Sequence, residues 1–229
     1  MPAGVLARLI VRSILWIALM GVLLFWPAGT WRWPQGWAFL AIFTICSALF
    51  CIWLYRRDPA LLAARANFVV QEGQARWDQV FMACAVLAWN IWLAFMAADA
   101  RRWHLSHMPV WLNVAGGLLV MAGFAATVPV FRANTFAAPV VRVQQERGQR
   151  VIDTGPYARV RHPMYAAALL YLIGMPLLLG SWYGLAVLPL LILGLVPRMV
   201  LEERTLAREL PGYADYLARV RWRLLPYVW

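Results

Sequence analysis

The side chains best suited to chemistry lie in one segment, residues 154–165, which is Thr-Gly-Pro-Tyr-Ala-Arg-Val-Arg-His-Pro-Met-Tyr. Gly155-Pro156 interrupts regular structure, and Pro163 restricts His162 to a non-helical backbone. Two tyrosines, two arginines and a histidine are therefore held on a short, constrained segment. Arginine binds anions, histidine titrates near neutrality, and tyrosine rings attract cations. Packing in lipid does not require this combination, so we expect a binding or catalytic site here.

A second group of charged residues, Arg198, Glu202 and Glu203, follows an apolar stretch. Arg198 and Glu202 are four residues apart and so share one face of a helix. Two interpretations stay open. The pair either forms an ordinary ion pair, or Glu202 holds a ligand cation while Arg198 holds a ligand anion. Glu203 points to another side of the helix, and we expect it to be solvated or paired with an arginine.

His162 is compatible with three roles: a hydrogen-bond donor to a ligand, a general base, or a structural group at the start of an apolar hairpin. A metal site is not predicted, because no Cys, His or Glu ligand spacing surrounds His162, and His104 and His107 belong to a loop on the opposite side. The sequence has no glycine-rich dinucleotide loop, P-loop or Gly-x-Ser-x-Gly motif. Soluble nucleotide-binding folds are therefore excluded.

The elements that must position these residues are membrane helices. Hydrophobic residues make up 63% of the chain and charged residues only 14%, whereas soluble domains are about 25% charged. The 14 tryptophans suit interfacial aromatic belts. We predict an all-α fold, a polytopic membrane helical bundle of about six transmembrane segments with a C-terminal helical hairpin and a cytoplasmic tail. The predicted segments are Leu6–Trp26, Trp37–Tyr55, Val80–Ala98 and Val110–Phe131, then a hairpin of Met164–Gly180 and Tyr183–Pro197.

We predict two regions. Residues 1–131 form four transmembrane helices that serve as a scaffold and give access to substrate. Residues 132–229 form a catalytic region with a polar loop, the hairpin and the tail. Each arm of the hairpin is shorter than the roughly 20 residues that span a bilayer, so the hairpin either spans partly or extends into flanking residues. The tail, Leu201–Leu225, has helical spacing broken at Pro211-Gly212 and is predicted to lie on the membrane surface or cap the domain.

The formal net charge is +11, and all 21 basic residues are arginines. Eighteen of them fall on one predicted face, and Arg32, Arg101 and Arg102 fall on the other. The positive-inside rule then predicts a multi-pass protein of the bacterial inner membrane with both termini and residues 154–165 in the cytoplasm. Because this topology accounts for the arginines, nucleic-acid binding is not predicted.

Cys46, Cys51 and Cys84 lie within apolar segments and form no Cys-x-x-Cys pair. We expect buried, inert thiols and no disulfide framework. The first apolar segment follows Arg8 and Arg12 as a signal peptide would, but residues 27–33 make a poor cleavage site. It is expected to be a retained helix.

Several motifs occur in an order that resembles the isoprenylcysteine carboxyl methyltransferase family. They are Gly155-Pro156-Tyr157-x-x-x-Arg161-His162-Pro163-x-Tyr165, the apolar hairpin, Glu202-Glu203-x-x-Leu206 and Gly212-Tyr213-x-x-Tyr216. The resemblance covers about residues 140–226. These are integral membrane enzymes that use S-adenosylmethionine, prokaryotic members are found, and lipid N-methyltransferases are relatives.

The resemblance implies methyl transfer from S-adenosylmethionine to a lipophilic or small acceptor at the membrane, such as the carboxylate of an isoprenylcysteine-like molecule. The implied catalytic residues are Arg198, which matches an arginine directed toward the substrate carboxylate, and Glu202. The implied cofactor-binding residues are Gln144, Gln149, Arg150, Val151, Ile152, Tyr157, His162, Pro163, Met164, Tyr165 and Glu202.

Three alternatives remain. Membrane sterol or enone reductases that use NADPH share the Arg-His-Pro-x-Tyr element, but they usually carry an acidic residue where this chain has Ala166-Ala167-Ala168. A lipid amine N-methyltransferase would use the same cofactor with a different acceptor. A membrane carrier or scaffold would leave the clustered polar residues without a function, against the usual pattern for such groups.

Overall fold

The computed structural model describes residues 3–65 and 70–229, and this part of the chain is helical except for loops and one isolated bridge between Val160 and Trp222. The α-helices, in chain order, are α1 (Ala3–Ala28), α2 (Pro34–Arg57), α3 (Pro59–Arg65), α4 (Arg76–Ala97, continued by a π-helical turn Ala98–Arg102), α5 (Val110–Ala133), α6 (Pro163–Leu179), α7 (Trp182–Glu209) and α8 (Tyr213–Arg219).

Five of the described helices, α1, α2, α4, α5 and α7, are long and apolar enough to cross a membrane. The predicted polytopic membrane bundle is thereby confirmed. Helix α6 has 17 residues and is only about 25 Å long. Its last turn nevertheless reaches the first turn of α5, because the Asn113 side chain donates to the Leu177 carbonyl at 2.8 Å. Helix α6 therefore runs beside α5 to the same end of the bundle.

The second arm of the hairpin extends into the residues that flank the predicted apolar segment, which is one of the two forms that the sequence left open. Helix α7 does not end at Pro197 but continues through Pro189 and Pro197 to Glu209, a length of 28 residues. Proline interrupts helices strongly in water, whereas neighbouring groups in a membrane bundle satisfy the backbone carbonyls that it frees. As a result Arg198 and Glu202 lie within the helix and not just beyond it.

Helices α5 and α6 pack against each other most closely, and glycines make this approach possible. A β-carbon at Gly174 would lie 2.6 Å from the Gly116 carbonyl oxygen, and one at Gly123 would lie 2.9 Å from the Tyr171 nitrogen. Small residues permit such contact where lipid supplies little hydrophobic drive for association. This pair holds α6, whose first turn carries the predicted site, against the end of α5.

The three cysteines lie outside the packed core, which corrects the prediction of buried thiols. Cys46 is half-buried, Cys51 and Cys84 are exposed, and all three are free. They lie on α2 and α4, two of the helices suited to crossing a membrane. An apolar segment in such a bundle has a face that contacts lipid, so hydrophobic surroundings did not imply burial in protein.

At the end of the bundle opposite α8, a buried carboxylate joins the turn of the hairpin to the loop after α4. The Asp99 carboxylate accepts hydrogen bonds from the hydroxyls of Ser106 at 2.7 Å and Ser181 at 2.5 Å. Ser106 in turn accepts from the Trp182 backbone, and Ser181 caps α7 by accepting from the Gly184 backbone. These contacts fix the N-terminus of α7.

Candidate functional site

A cleft lies where the start of α6, the last turns of α7 and helix α8 meet the loop after α5. It encloses about 780 Å³, including the part that opens to solvent. The structure brings together ten of the eleven residues predicted to bind the cofactor. Those that line the cleft are Gln149, Arg150, Val151, Ile152, Tyr157, His162, Pro163, Met164, Tyr165 and Glu202.

The segment before α6 is held in place by the C-terminal tail. The backbone amide of Arg161 donates to the Trp222 carbonyl at 2.9 Å, and that of His162 donates to the Arg223 carbonyl at 2.8 Å. His162 is the last non-helical residue before Pro163, as the proline predicts. One wall of the cleft is therefore supported by a stretch of chain about 60 residues away in sequence.

Glu203 is buried and bound by three basic side chains. Arg161 and Arg223 approach its carboxylate at 3.2 and 3.1 Å, and the His162 Nε2 atom lies 3.2 Å from it. Of the two predicted states of Glu203, the arginine-paired state is the one observed. His162 therefore has the predicted structural role, and because its ring also lines the cleft, its role as a donor to a ligand stays a prediction.

A chain of polar groups runs from α4 to the floor of the cleft. The buried Arg198 guanidinium donates to the Asp78 carboxylate at 2.9 Å and to the Pro139 carbonyl at 2.7 Å, and it also donates to the Tyr165 phenol oxygen. The Tyr165 hydroxyl donates to Glu202 at 3.1 Å. Arg198 thus forms its ion pair with Asp78, whereas Glu202 faces the cleft. The expected ordinary pair between Arg198 and Glu202 is not the one formed.

Asp78 is a residue of this network that the sequence analysis missed. Its carboxylate is fully buried and also accepts from the Gln74 side chain and the Val141 backbone, both at 2.8 Å. It therefore fixes both Arg198 and a segment that lines the cleft. Acidic residues are common in the first turn of a helix, so the position of Asp78 in the sequence did not indicate a role in the site.

Two predicted site residues lie outside the lining of the cleft. Gln144 is fully buried, donates to the Phe136 carbonyl at 2.7 Å and accepts from Arg147 at 2.6 Å. Its backbone amide donates to the Gln149 side chain at 2.7 Å, so Gln144 braces the loop from behind. Arg198 lies beneath the floor, one hydrogen bond away from the cleft. Their roles toward a ligand stay predictions.

Three tyrosines outside the membrane helices line the cleft as neutral phenols. Burial raises the pKa of Tyr157 to about 12, an effect that its hydrogen bond to Asn134 only partly offsets. Burial likewise raises the pKa of Tyr213 and Tyr216. The Tyr216 hydroxyl donates to the Tyr157 carbonyl at 2.9 Å and so ties α8 to residues 155–158. The last two tyrosines were not predicted as site residues, although their spacing places both on one face of α8.

Apolar side chains form part of the remaining walls. Val140, Val141, Leu206 and Leu210 line the cleft and were not predicted. The Arg142 guanidinium binds Glu146 at 2.8 Å, but its Nε atom is buried with no hydrogen-bond partner among the described residues. A carboxylate, arginines, aromatic rings and apolar walls together suit a ligand with a cation, an anion and a flat ring. Among the described residues, no group of three or more His, Cys, Asp or Glu could hold a metal ion.

Comparison with known proteins finds similarity to one family over part of the chain. Residues 111–211 match the phospholipid methyltransferase family, which includes the isoprenylcysteine carboxyl methyltransferases. The match covers α5, α6 and α7, and thus the segment before α6 together with Arg198 and Glu202. The resemblance predicted from the sequence is therefore confirmed.

One curated relative is similar to this chain over more than half of its residues. The chain is 25% identical over 132 residues to the cobalt-zinc-cadmium resistance protein CzcN of Cupriavidus metallidurans. The similarity covers 57% of this chain and 59% of that protein, so the chain spans somewhat more than half the length of the curated relative that it matches.

Proposed function

We propose that the chain is an integral membrane methyltransferase that moves a methyl group from S-adenosylmethionine to a lipophilic acceptor. The observation that carries the proposal is the position of Glu202, a carboxylate that faces the cleft beside the Tyr165 phenol. The family match over the same elements supports it. S-adenosylmethionine supplies an activated methyl group on a sulfonium cation, and it also carries an ammonium, a carboxylate and an adenine.

The residues of the cleft fit those groups one by one. Glu202 can accept hydrogen bonds from an ammonium or from ribose hydroxyls, and the Tyr157 and Tyr165 rings can attract a cation. The exposed Arg150 can bind a carboxylate. The apolar side chains of the walls can cover the adenine. The donor site is thus proposed to be formed by the chain from Asn134 onward, with α4 supporting it through Asp78.

The chain's own contribution to the reaction is proposed to be positioning and the exclusion of water. A carboxylate acceptor is already anionic and needs no general base. Arg198 has five N–H donors, of which three have partners in the chain. Because Arg198 lies beneath Tyr165 and outside the lining of the cleft, we propose that it orients an arriving carboxylate through the Tyr165 hydroxyl, to which it donates.

A lipid amine is the second candidate acceptor, and the charge of the network favours it. Asp78 and Glu202 carry two negative charges against the single positive charge of Arg198. A surplus of negative charge at the floor would stabilise the positive charge that a neutral amine gains as its lone pair takes the methyl group, whereas it would repel a carboxylate. Incubation with labelled methyl donor separates the candidates, because a carboxyl methyl ester loses its label in mild base and an N-methyl group does not.

The donor is tested by calorimetric titration of the detergent-purified protein with S-adenosylmethionine, S-adenosylhomocysteine and NADPH. We expect the first two to bind in the micromolar range and NADPH not to bind. Binding of NADPH without either sulfur compound would refute the proposal and favour the reductase. We further propose that the cleft and both termini face the cytoplasm of a bacterial inner membrane, where a soluble donor is available.

A further inference from the structure

An open pocket with a mostly polar lining, which we call the polar pocket, lies at the end of the bundle opposite the cleft. It lies between the start of α2, the loop after α4 and the turn of the hairpin, and it encloses about 670 Å³ including its opening. The lining residues that matter for its chemistry are Gln35, Arg101, His104, His107 and Asn113. All five side chains can donate hydrogen bonds, as an anionic ligand requires.

A second open space, which we call the apolar groove, adjoins the polar pocket and runs between α2 and α5. It encloses about 770 Å³ including its opening, and its lining is almost wholly apolar. Gln35 and Asn113 line both spaces, so the two meet at these residues. From Asn113 to Met121 the groove follows α5 for about 12 Å. This is most of the roughly 15 Å that one leaflet of hydrocarbon occupies.

The charge that lines the polar pocket is positive. The Nη2 atom of Arg101 donates to the Arg32 carbonyl at 3.2 Å, which holds the guanidinium at the edge of the pocket. Among the described residues, the acidic residue at this end of the bundle is Asp99, which is buried and accepts from the Ser106 and Ser181 hydroxyls. Arginine is well suited to phosphate, so the charge of the lining favours a phosphate group.

Tryptophan side chains place the polar pocket at the depth of the lipid headgroups. Among the described residues, every exposed tryptophan belongs to this end of the bundle. These tryptophans are Trp26, Trp31, Trp37, Trp103, Trp111 and Trp182. Because indole rings concentrate at the boundary between hydrocarbon and water, the polar pocket lies at this boundary and the apolar groove extends from it toward the bilayer centre.

The loop that carries both histidines is fixed to the start of α7. The Ser106 hydroxyl accepts from the Trp182 backbone amide at 2.9 Å, and the Trp182 indole donates to the His107 carbonyl at 3.1 Å. The Leu105 amide also donates to the Asp99 carbonyl at 3.2 Å. The polar pocket is thus formed before a ligand arrives, which reduces the entropy lost on binding.

We propose that the two spaces together bind one phospholipid of the leaflet opposite the cleft, with its phosphate in the polar pocket and one acyl chain in the apolar groove. A phospholipid supplies both parts in one molecule, an anion at headgroup depth and a chain that follows α2 and α5 inward. The site lies apart from the cleft, and the inference does not rest on the proposed methyl transfer.

The test uses photo-crosslinking of the full chain in detergent micelles that contain a trace of phosphatidylglycerol with a diazirine on its acyl chain. Mass spectrometry of the crosslinked peptides distinguishes the groove from the arginine-rich end at the cleft. We expect labelling within residues 38–42 and 114–121. A diacylglycerol with the same chains but no phosphate should label these residues at least about tenfold less, the effect of a charged hydrogen bond. Excess inorganic phosphate should not reduce the labelling.

Two pairs of variants test the two parts of the site. Arg101→Gln should reduce labelling of the groove by phosphatidylglycerol about tenfold. Arg102→Gln is its control, because Arg102 donates to the Trp26 carbonyl and does not line the polar pocket. Gly117→Leu should reduce labelling by filling the groove. Gly194→Leu is its control, because a β-carbon at Gly194 would meet nothing within 4 Å.

Equal labelling of the groove by the two lipid probes would overturn the inference, and so would labelling that persists in Arg101→Gln. Loss of labelling in excess inorganic phosphate would also overturn it, because the polar pocket would then bind a free anion in preference to a lipid. Arg101→Gln leaves the helix packing unchanged, so the test does not depend on how well Gly117→Leu folds.

Discussion

Glu202 is the carboxylate that faces the cleft, whereas its neighbour Glu203 is fully engaged by basic side chains. Adjacent residues of a helix point in different directions, and the structure assigns the two carboxylates different surroundings. Glu203 is bound by Arg161, His162 and Arg223, but Glu202 accepts one hydrogen bond from Tyr165. Glu202 therefore retains the capacity to bind a cation.

Glu202→Gln tests this assignment. The variant keeps the size of the side chain but loses its charge, so we expect affinity for S-adenosylmethionine to fall by about tenfold or more, the effect of a charged hydrogen bond. Calorimetry measures the change. Glu209→Gln, at the exposed end of the same helix, is the control and should bind as the wild-type protein does. Unchanged affinity in Glu202→Gln would remove this residue from the donor site.

Arg198 is predicted to affect turnover without affecting donor binding, because it lies beneath Tyr165 and outside the lining of the cleft. Arg198→Ala should bind S-adenosylmethionine within about twofold of the wild-type affinity while methyl transfer is lost. Asp78→Asn should likewise lose methyl transfer and keep its affinity for S-adenosylmethionine if Asp78 acts by positioning Arg198. Arg208→Ala, an exposed change on α7, serves as the control. Full turnover in Arg198→Ala would contradict the role.

At the scale of elements, the contact between α5 and α6 determines where the first turn of α6 lies. Gly174 approaches α5 so closely that an added methyl group has no space, whereas a β-carbon at Gly117 would meet only side-chain atoms at 3.4 Å or more. The two glycines therefore make a matched pair for measuring the strength of this contact.

Gly174→Ala is expected to reduce stability by about 1–3 kcal/mol through overpacking. Gly117→Ala should have a smaller effect or a stabilising one, because alanine favours the helix. Thermal unfolding in detergent measures both. Equal stabilities of the two variants would show that α5 and α6 can move apart without a loss of stability. The close glycine contact would then not determine how the two helices pack.

The positions of most helices could be predicted from the sequence, because hydropathy and the placement of proline and glycine determine the local backbone. The segment before α6 was found from Pro163 and its neighbours, and the structure places its predicted cofactor residues around one cleft. The extension of α7 past Pro197 was left open by the sequence, because the apolar segment ends there while Arg198 and Glu202 follow at helical spacing. Asp78 was missed for a different reason: its partner Arg198 is 120 residues away, and no local pattern records such a contact.

At the scale of the whole molecule, the distribution of arginines gives an orientation that can be measured. The cleft and the tail lie at one end of the bundle, and Arg101 and Arg102 lie at the other, where they bind the Arg32 and Trp26 carbonyls. We expect a fluorescent protein fused after Trp229 to fluoresce in bacteria and a periplasmic phosphatase fused there to be inactive. Insertion of the phosphatase at residues 104–107 should give an active enzyme. The reverse pattern would contradict the orientation.

The docking of the tail also has a consequence for biosynthesis. The amides of Arg161 and His162 are paired with the carbonyls of Trp222 and Arg223, and the latter side chain also binds Glu203. Translation must therefore pass residue 223 before these contacts can form, by which time the five described helices that are long enough to cross a membrane have been made. A nascent chain that lacks the tail therefore has no fully supported cleft, and we expect it not to bind the proposed methyl donor.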